Sequence, residues 1–170
     1  MTRPLGTQLV GSYTKPGWLI RHQRVTTPYD DDFWRPEPAV LAEAQDDATL
    51  LAIADQELAG LDVVTDGEQR RQRFDSYFFQ CLEGLDTKRL GAWSMRERDM
   101  SFLDLVPEIE ERLKKAEAPR VTGEVCCGEP ITLEDLRFLK CHARKPVKMT
   151  VIGPLTTACR LANEYYENEA

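Results

Sequence analysis

The sequence contains no apolar run near the ~20 residues that a membrane-spanning helix needs, and the N-terminus MTRPLGTQLVG lacks the apolar stretch of a signal peptide. We therefore expect a cytoplasmic protein. An excess of positive charge is also missing, because the formal net charge is −7. Nucleic acids and anionic membranes are bound through Lys and Arg contacts to phosphate, so we expect neither as a partner.

Cysteine and histidine are present, but they form no recognisable metal-binding pattern. The five cysteines include no CxxC pair, and there are only two histidines. Cys126 and Cys127 are adjacent, and two neighbours rarely ligate one ion in good tetrahedral geometry. The sequence therefore predicts reduced thiols and no native metal site within this chain.

Segments with strand character alternate with segments of helical character, which is typical of βα units and a parallel sheet. The predicted strands are Thr7–Tyr13, Leu61–Asp66, Arg120–Val125 and Lys145–Ile152, and the predicted helices are Pro38–Ala59, Tyr77–Leu85, Ser101–Glu117, Thr132–His142 and one from Thr156 to the chain end. The predicted fold class is α/β, a partial (βα)8 TIM-type barrel with about four βα units and parallel strands. Since a whole barrel typically needs about 250 residues, we expect one domain over residues 1–170 that forms half a barrel.

Two segments interrupt this alternation. Residues 14–38 are rich in proline, aromatic and charged residues, and we predict that they form a long loop or lid. Residues 86–118 are predicted to be an insertion that carries a charged helix. Thr132 and Asp135 have the spacing of a capping box at the start of the helix that follows the third strand.

Three of the four predicted strands end in a glycine that precedes a polar residue or a proline. These pairs are Gly11-Ser12, Gly67-Glu68 and Gly153-Pro154. In a βα barrel the carboxyl ends of the strands carry the active site, and glycine lets the backbone approach a ligand closely. Ser12 and Glu68 are therefore candidate binding residues, with a turn serine and a surface carboxylate as the alternatives. Asp66 is interpreted as structural, and Arg70 and Arg71 as a solvated helix face or an anion site.

Motifs around these strand ends follow one another in an order known from one family. They are VGSY (Val10–Tyr13), AIADQELAGLDVVTDGEQRR (Ala52–Arg71), VTGEV (Val121–Val125), PITLEDLRFLK and KPVKMTVIGPLT. In this order they resemble the N-terminal half of the catalytic barrel of cobalamin-independent methionine synthases, a barrel shared with uroporphyrinogen decarboxylase. The resemblance covers nearly the whole chain. It implies a role in methionine biosynthesis, as a homocysteine S-methyltransferase that uses zinc and a methyl-folate.

The resemblance also assigns substrate-binding roles. The backbone and hydroxyl of Gly11-Ser12 would hold the carboxylate of the amino acid, and Glu68 would bind its ammonium group. Such donors suit an anion, and a carboxylate suits a cation. The family's zinc ligands include an HxC motif in the second half of its barrel, and neither His22 nor His142 stands in such a motif. We therefore expect zinc and methyl-folate as cofactors of the family, but no catalytic residue, metal ligand or activity in the isolated chain.

Half a barrel leaves two strand edges unpaired and one apolar face uncovered. We therefore expect the chain to form a homo-oligomer or to pair with a separately encoded second half. The first functional hypothesis is an enzyme component that binds an amino-acid thiol such as homocysteine. The alternative is a non-catalytic, truncated or split-barrel module that binds a small zwitterion, an anion or a partner protein.

Overall fold

A computed structural model describes residues 5–21, 32–92, 117–128, 130 and 132–167 as a mixed α/β chain. In chain order the elements are α1 (Pro38–Leu58), α2 (Ser76–Phe79), β1 (Leu82–Ala92), β2 (Glu117–Cys127), α3 (Leu133–His142), α4 (Pro154–Ala158) and β3 (Ala162–Asn163). The chain divides into two compact units, unit 1 (Met1–Phe74 with Pro130–Val151) and unit 2 (Asp75–Glu129 with Ile152–Ala170). The single domain over residues 1–170 stays a prediction.

Helix α1 is the longest element of unit 1 and agrees with the predicted helix Pro38–Ala59. Pro38 stands in its first turn, where a missing N–H leaves no helical hydrogen bond unmade. The helix is continuous through Asp46 and Asp47. Next to the C-cap residue Ala59, Gly60 adopts a left-handed conformation with φ +79°, which ends the helix as glycine commonly does.

Three of the predicted strand segments meet in unit 1 through isolated bridges. Gln8 pairs with Val63, and Val64 pairs with Val147, in both cases parallel. The amide of Lys148 donates to the carbonyl of Val64 at 2.9 Å. Within the described residues these segments run parallel at the bridges, but they do not form a continuous parallel sheet.

Two clusters of buried apolar residues stabilise unit 1. One consists of Ile53, Val64 and Leu139, with Ala143 and Val147 packed against it. It joins α1, the second strand segment and α3 through one buried side chain from each. This packing holds the strand segments in place beside the helices that flank them.

The second cluster includes the described part of residues 14–38. Leu19, Ile20 and Phe33 are buried together with Ala48 of α1. Ile20 forms an antiparallel bridge with Trp34, whose ring meets the ring of Phe33 edge-on at a centroid distance of 4.8 Å. These residues are core residues of unit 1, while the lid role of the segment stays a prediction.

Unit 2 contains the three-stranded sheet of the described chain, in the order β1-β2-β3. Strands β1 and β2 pair antiparallel with irregular register, and β2 pairs parallel with β3. The predicted strand Arg120–Val125 is therefore confirmed as a part of β2. It is not a member of a parallel sheet with the preceding strand, because its neighbour along the chain is the antiparallel strand β1.

Two predicted helices are shorter than expected. The segment Tyr77–Leu85 is helical only as far as Phe79, and β1 begins at Leu82. Helix formation over so few residues is marginal, and pairing with a long neighbouring strand outweighs it. The last helix ends at Ala158 and is followed by β3, so the predicted helix is wrong over residues 159–167.

Helix α3 agrees with the prediction for Thr132–His142, but its predicted capping box is wrong. The side chain of Thr132 makes no capping hydrogen bond. Asp135 instead forms an ion pair with Arg70, at 3.2 Å between Oδ1 and Nη1. The charged helix predicted over Ser101–Glu117 lies outside the described residues, apart from Glu117, where β2 begins. No helix in the described part of the chain combines the length and the apolar character that a membrane span requires.

Candidate functional site

Three polar side chains from the three parallel segments of unit 1 meet just beyond the bridges. Ser12 Oγ donates to Glu68 Oε2 at 2.5 Å, and Thr150 Oγ1 donates to Glu68 Oε1 at 3.0 Å. Each carboxylate oxygen of Glu68 thus accepts one hydroxyl. The carboxylate is buried, with 4% of the residue exposed, whereas Ser12 is exposed. The structure therefore brings together two of the predicted site residues and adds a third group, Thr150.

The backbone around this cluster is held in left-handed conformations. Gly11 has φ +87°, and a Cβ built on it would meet no described atom within 4 Å. Gly67 has φ +64°, and Glu68 has φ +55°, the one positive φ of a non-glycine residue in the described ranges. A left-handed conformation is unfavourable for a side chain such as that of glutamate and persists only where the surroundings hold it.

Hydrogen bonds between the first and second segments hold this turn. The amide of Tyr13 donates to the carbonyl of Gly67 at 3.0 Å. The buried side chain of Gln69 donates through Nε2 to the carbonyls of Tyr13 and Gly67, both at 3.1 Å. Gly67 and Gln69, the two neighbours of Glu68, are therefore attached to the end of the segment that carries Ser12.

A buried ion pair is hydrogen-bonded to the backbone of two members of the cluster, Glu68 and Thr150. Asp66 and Arg71 are 1% and 3% exposed, and Nη2 of the arginine lies 3.4 Å from Oδ2 of the aspartate. Burial raises the pKa of Asp66, although Arg71 and the amide of Glu68 oppose the change. Asp66 Oδ1 accepts that amide at 3.1 Å, which fits its structural interpretation. Arg71 Nη1 also donates to the carbonyl of Thr150 at 3.0 Å, so Arg71 does not lie on a solvated helix face.

Arg70 is likewise bound by acidic side chains of the protein itself. It forms ion pairs with Asp46 of α1 and Asp135 of α3. Its guanidinium lies over the ring of Phe138, 4.3 Å from the centroid. Arg70 therefore links the two helices, and this structural role accounts for its position in the described chain.

Lys15 is a further buried group that the sequence patterns did not single out. It is 8% exposed. Burial lowers the pKa of Lys15 to about 8, while the charges of Glu68 and Asp66 oppose that change. Neither Lys15 nor Thr150 stands in a glycine pair, which is the signal that marked Ser12 and Glu68. A hydroxyl within the predicted strand segment KPVKMTVI is the one sequence feature that points to Thr150.

The described residues do not form a metal site. They include no group of three or more His, Cys, Asp or Glu side chains that could hold a metal ion. His142 lies exposed at the end of α3, where its Nδ1 is 2.8 Å from the carbonyl oxygen of Phe138. His22 lies outside the described residues.

Comparison with known sequences places methionine synthases among the relatives of the chain. It is 29% identical to the methionine synthase of Sulfolobus acidocaldarius over 170 residues and 30% identical to that of Sulfurisphaera tokodaii over 169 residues. In both cases the match covers 97% of this chain, but only 42% and 43% of the relative. No protein-family model matches the chain. The chain thus spans less than half the length of these curated relatives.

Comparison with solved structures agrees. The B12-independent methionine synthase from Shewanella sp. W3-18-1, solved in complex with selenomethionine, superposes with a TM-score of 0.76 at 30% identity. That superposition covers 96% of this chain and 42% of the Shewanella chain. The resemblance to cobalamin-independent methionine synthases is confirmed, as a resemblance to a part of such enzymes.

Proposed function

The chain is a relative of cobalamin-independent methionine synthases over nearly its whole length, and from this premise we propose that it is the amino-acid-binding part of a thiol methyltransferase. The proposed reaction is the transfer of a methyl group to the thiol of homocysteine. The observation that carries the proposal is the cluster of Ser12, Glu68 and Thr150 at the ends of three segments that such relatives share. The relationship favours this function over that of a non-catalytic module.

Recognition of a zwitterion would use groups of both polarities in this cluster. The Glu68 carboxylate would accept the ammonium group of the amino acid, because each of its oxygens accepts one hydroxyl and keeps a lone pair for a further donor. The backbone at Gly11-Ser12 would hold the substrate carboxylate. The Ser12 hydroxyl has a single proton, which it donates to Glu68, so towards the substrate it would act as an acceptor. The Shewanella relative supports this proposal, because selenomethionine carries the same ammonium and carboxylate groups.

We propose that this chain forms half of a TIM-type barrel whose parallel strands include the three segments joined in unit 1, whereas the fourth predicted strand lies in β2, beside the antiparallel strand β1. The parallel bridges Gln8 to Val63 and Val64 to Val147 support it. The remaining strands would come from outside residues 1–170. Zinc and methyl-folate are implied by the family, but the described residues do not fit a metal ion. We assign no catalytic step to this chain's own residues.

Binding of homocysteine to the 170-residue chain tests the proposal by isothermal titration calorimetry. We expect Glu68→Gln to weaken binding about 10- to 100-fold, because an amide attracts an ammonium group far less than a carboxylate does. Glu43→Gln is the matched control, since Glu43 is an exposed glutamate of α1. Equal affinities of the Glu68→Gln variant and the unchanged chain would show that the assigned site is wrong.

A further inference from the structure

Thr150 holds a position that the family resemblance does not assign. It follows the bridge residue Val147 and lies at the end of the third parallel segment of unit 1. Its hydroxyl donates to Glu68 Oε1 at 3.0 Å, and its carbonyl accepts Arg71 Nη1 at 3.0 Å. The residue therefore connects the candidate ammonium-binding carboxylate with the buried ion pair of Arg71 and Asp66.

We propose that Thr150 is a positioning residue that fixes the Glu68 carboxylate for recognition of the substrate ammonium group. The inference rests on the proposed function and extends it by one residue. Thr150 acts through Glu68 and touches no substrate itself. Its hydroxyl determines the rotation of the carboxylate plane, so that the free lone pairs of both oxygens point in one defined direction.

Two hydroxyls are needed because one would leave the carboxylate free to turn. Ser12 binds Oε2 alone, and a single bond fixes one oxygen but not the plane of the group. Thr150 binds the other oxygen from a different segment. The two anchors also differ in environment, since Ser12 is exposed and Thr150 is half-buried. Water can compete with the first anchor more easily than with the second.

The position of Thr150 is itself independent of any ligand. Arg71 is 3% exposed and binds both the Thr150 carbonyl and the Asp66 carboxylate. Asp66 in turn accepts the amide of Glu68 at 3.1 Å. Backbone and side chain of Glu68 are therefore held by one connected set of groups, of which Arg71 and Asp66 are buried, and this set preorganises the carboxylate before an amino acid binds.

The test compares homocysteine with 4-mercaptobutyrate, which has the same thiol and carboxylate but no amine. Dissociation constants of both compounds are measured by calorimetry for the full chain and for Thr150→Val, Thr150→Ser and Thr49→Val. The control Thr49→Val removes a buried hydroxyl that bonds only within α1, to the carbonyl of Gln45 at 2.8 Å. Circular dichroism verifies that each variant folds, and Thr150→Ala replaces Thr150→Val if the latter does not.

We expect Thr150→Val to weaken homocysteine binding about 10- to 100-fold and 4-mercaptobutyrate binding by less than about 3-fold. Thr150→Ser should restore the preference for homocysteine, and Thr49→Val should keep it. If Thr150→Val still prefers homocysteine to 4-mercaptobutyrate as strongly as the unchanged chain does, the inference is wrong and the proposed function stands. Absence of any preference for homocysteine in the unchanged chain would overturn the proposed function as well.

Discussion

Replacing Gly67 by alanine should destabilise the chain more than any exposed glycine replacement, because this glycine is both left-handed and tightly packed. Its φ is +64°, and a Cβ would lie 2.9 Å from Cβ of Tyr13 and 3.0 Å from Cβ of Ala52. Real Cβ atoms essentially never approach a neighbour as closely as the Tyr13 contact would require, and the Ala52 contact is tighter than nine in ten real ones. The added methyl group would therefore push the Gly67-Glu68 turn away from the first strand segment and from α1.

The expected magnitude has three contributions. A left-handed backbone costs a residue with a Cβ about 1–2 kcal/mol. Overpacking of a well-packed interior adds about 1–3 kcal/mol. The unfolded chain has less conformational freedom with alanine than with glycine, and this offsets about 0.4–1 kcal/mol of the loss in stability. We expect Gly67→Ala to lower the free energy of unfolding by about 3 kcal/mol in total.

Gly60→Ala is the matched control for this prediction. Gly60 has φ +79°, but a Cβ there would meet no described atom within 4 Å. The two variants therefore share the backbone and unfolded-state contributions. We expect Gly60→Ala to lower the free energy of unfolding by about 1 kcal/mol. Urea unfolding followed by circular dichroism measures both variants. Losses that agree within about 0.5 kcal/mol would refute the steric reasoning, since only the packing contribution distinguishes the two positions.

Two further predictions concern buried polar groups. Burial lowers the pKa of Lys15 from 10.5 to about 8, although the negative charges of Glu68 and Asp66 oppose that change. Between pH 8 and pH 10.5 the unfolded chain therefore binds more protons than the folded chain. Relative to the Lys15→Met variant, the free energy of unfolding of the unchanged chain should therefore rise by about 3 kcal/mol from pH 8 to pH 10.5. Urea titrations that give the two proteins the same pH profile would contradict this. Gln56→Leu should lower the free energy of unfolding by about 2–4 kcal/mol. Gln56 is 1% exposed, and its side chain bonds both the amide and the carbonyl of Thr65 at 2.9 Å. Leucine would leave both of these backbone groups unpaired. A loss below about 1 kcal/mol in urea unfolding would show that these groups find other partners.

The helices of unit 1 could be predicted because their signals are local. Pro38 at the start of α1 and Gly60 after its end act through their own backbone angles, whatever surrounds them. The glycine pairs at the strand ends are local signals of the same kind. They marked Ser12 and Glu68 as neighbours in one site, and the structure joins them by a hydrogen bond.

The errors fall where a distant part of the chain decides the local structure. Residues Leu82–Leu85 carry a pattern compatible with a helix, but they pair with β2, which lies more than thirty residues later. Asp135 has the spacing of a capping residue, but it forms an ion pair with Arg70 of another segment. Propensity is a weak preference, and a full set of strand hydrogen bonds or a charged partner outweighs it.

The sequence by itself determined the starts and ends of the main helices, the order of the strand segments and the relationship to methionine synthases. Only the tertiary structure decided that Thr150 and Ser12 share the carboxylate of Glu68, and that Arg71 is buried against Asp66. The physical reason is distance along the chain. Capping and turn residues act on their immediate neighbours, whereas a hydroxyl that must reach a carboxylate 82 positions away depends on how the segments between them pack.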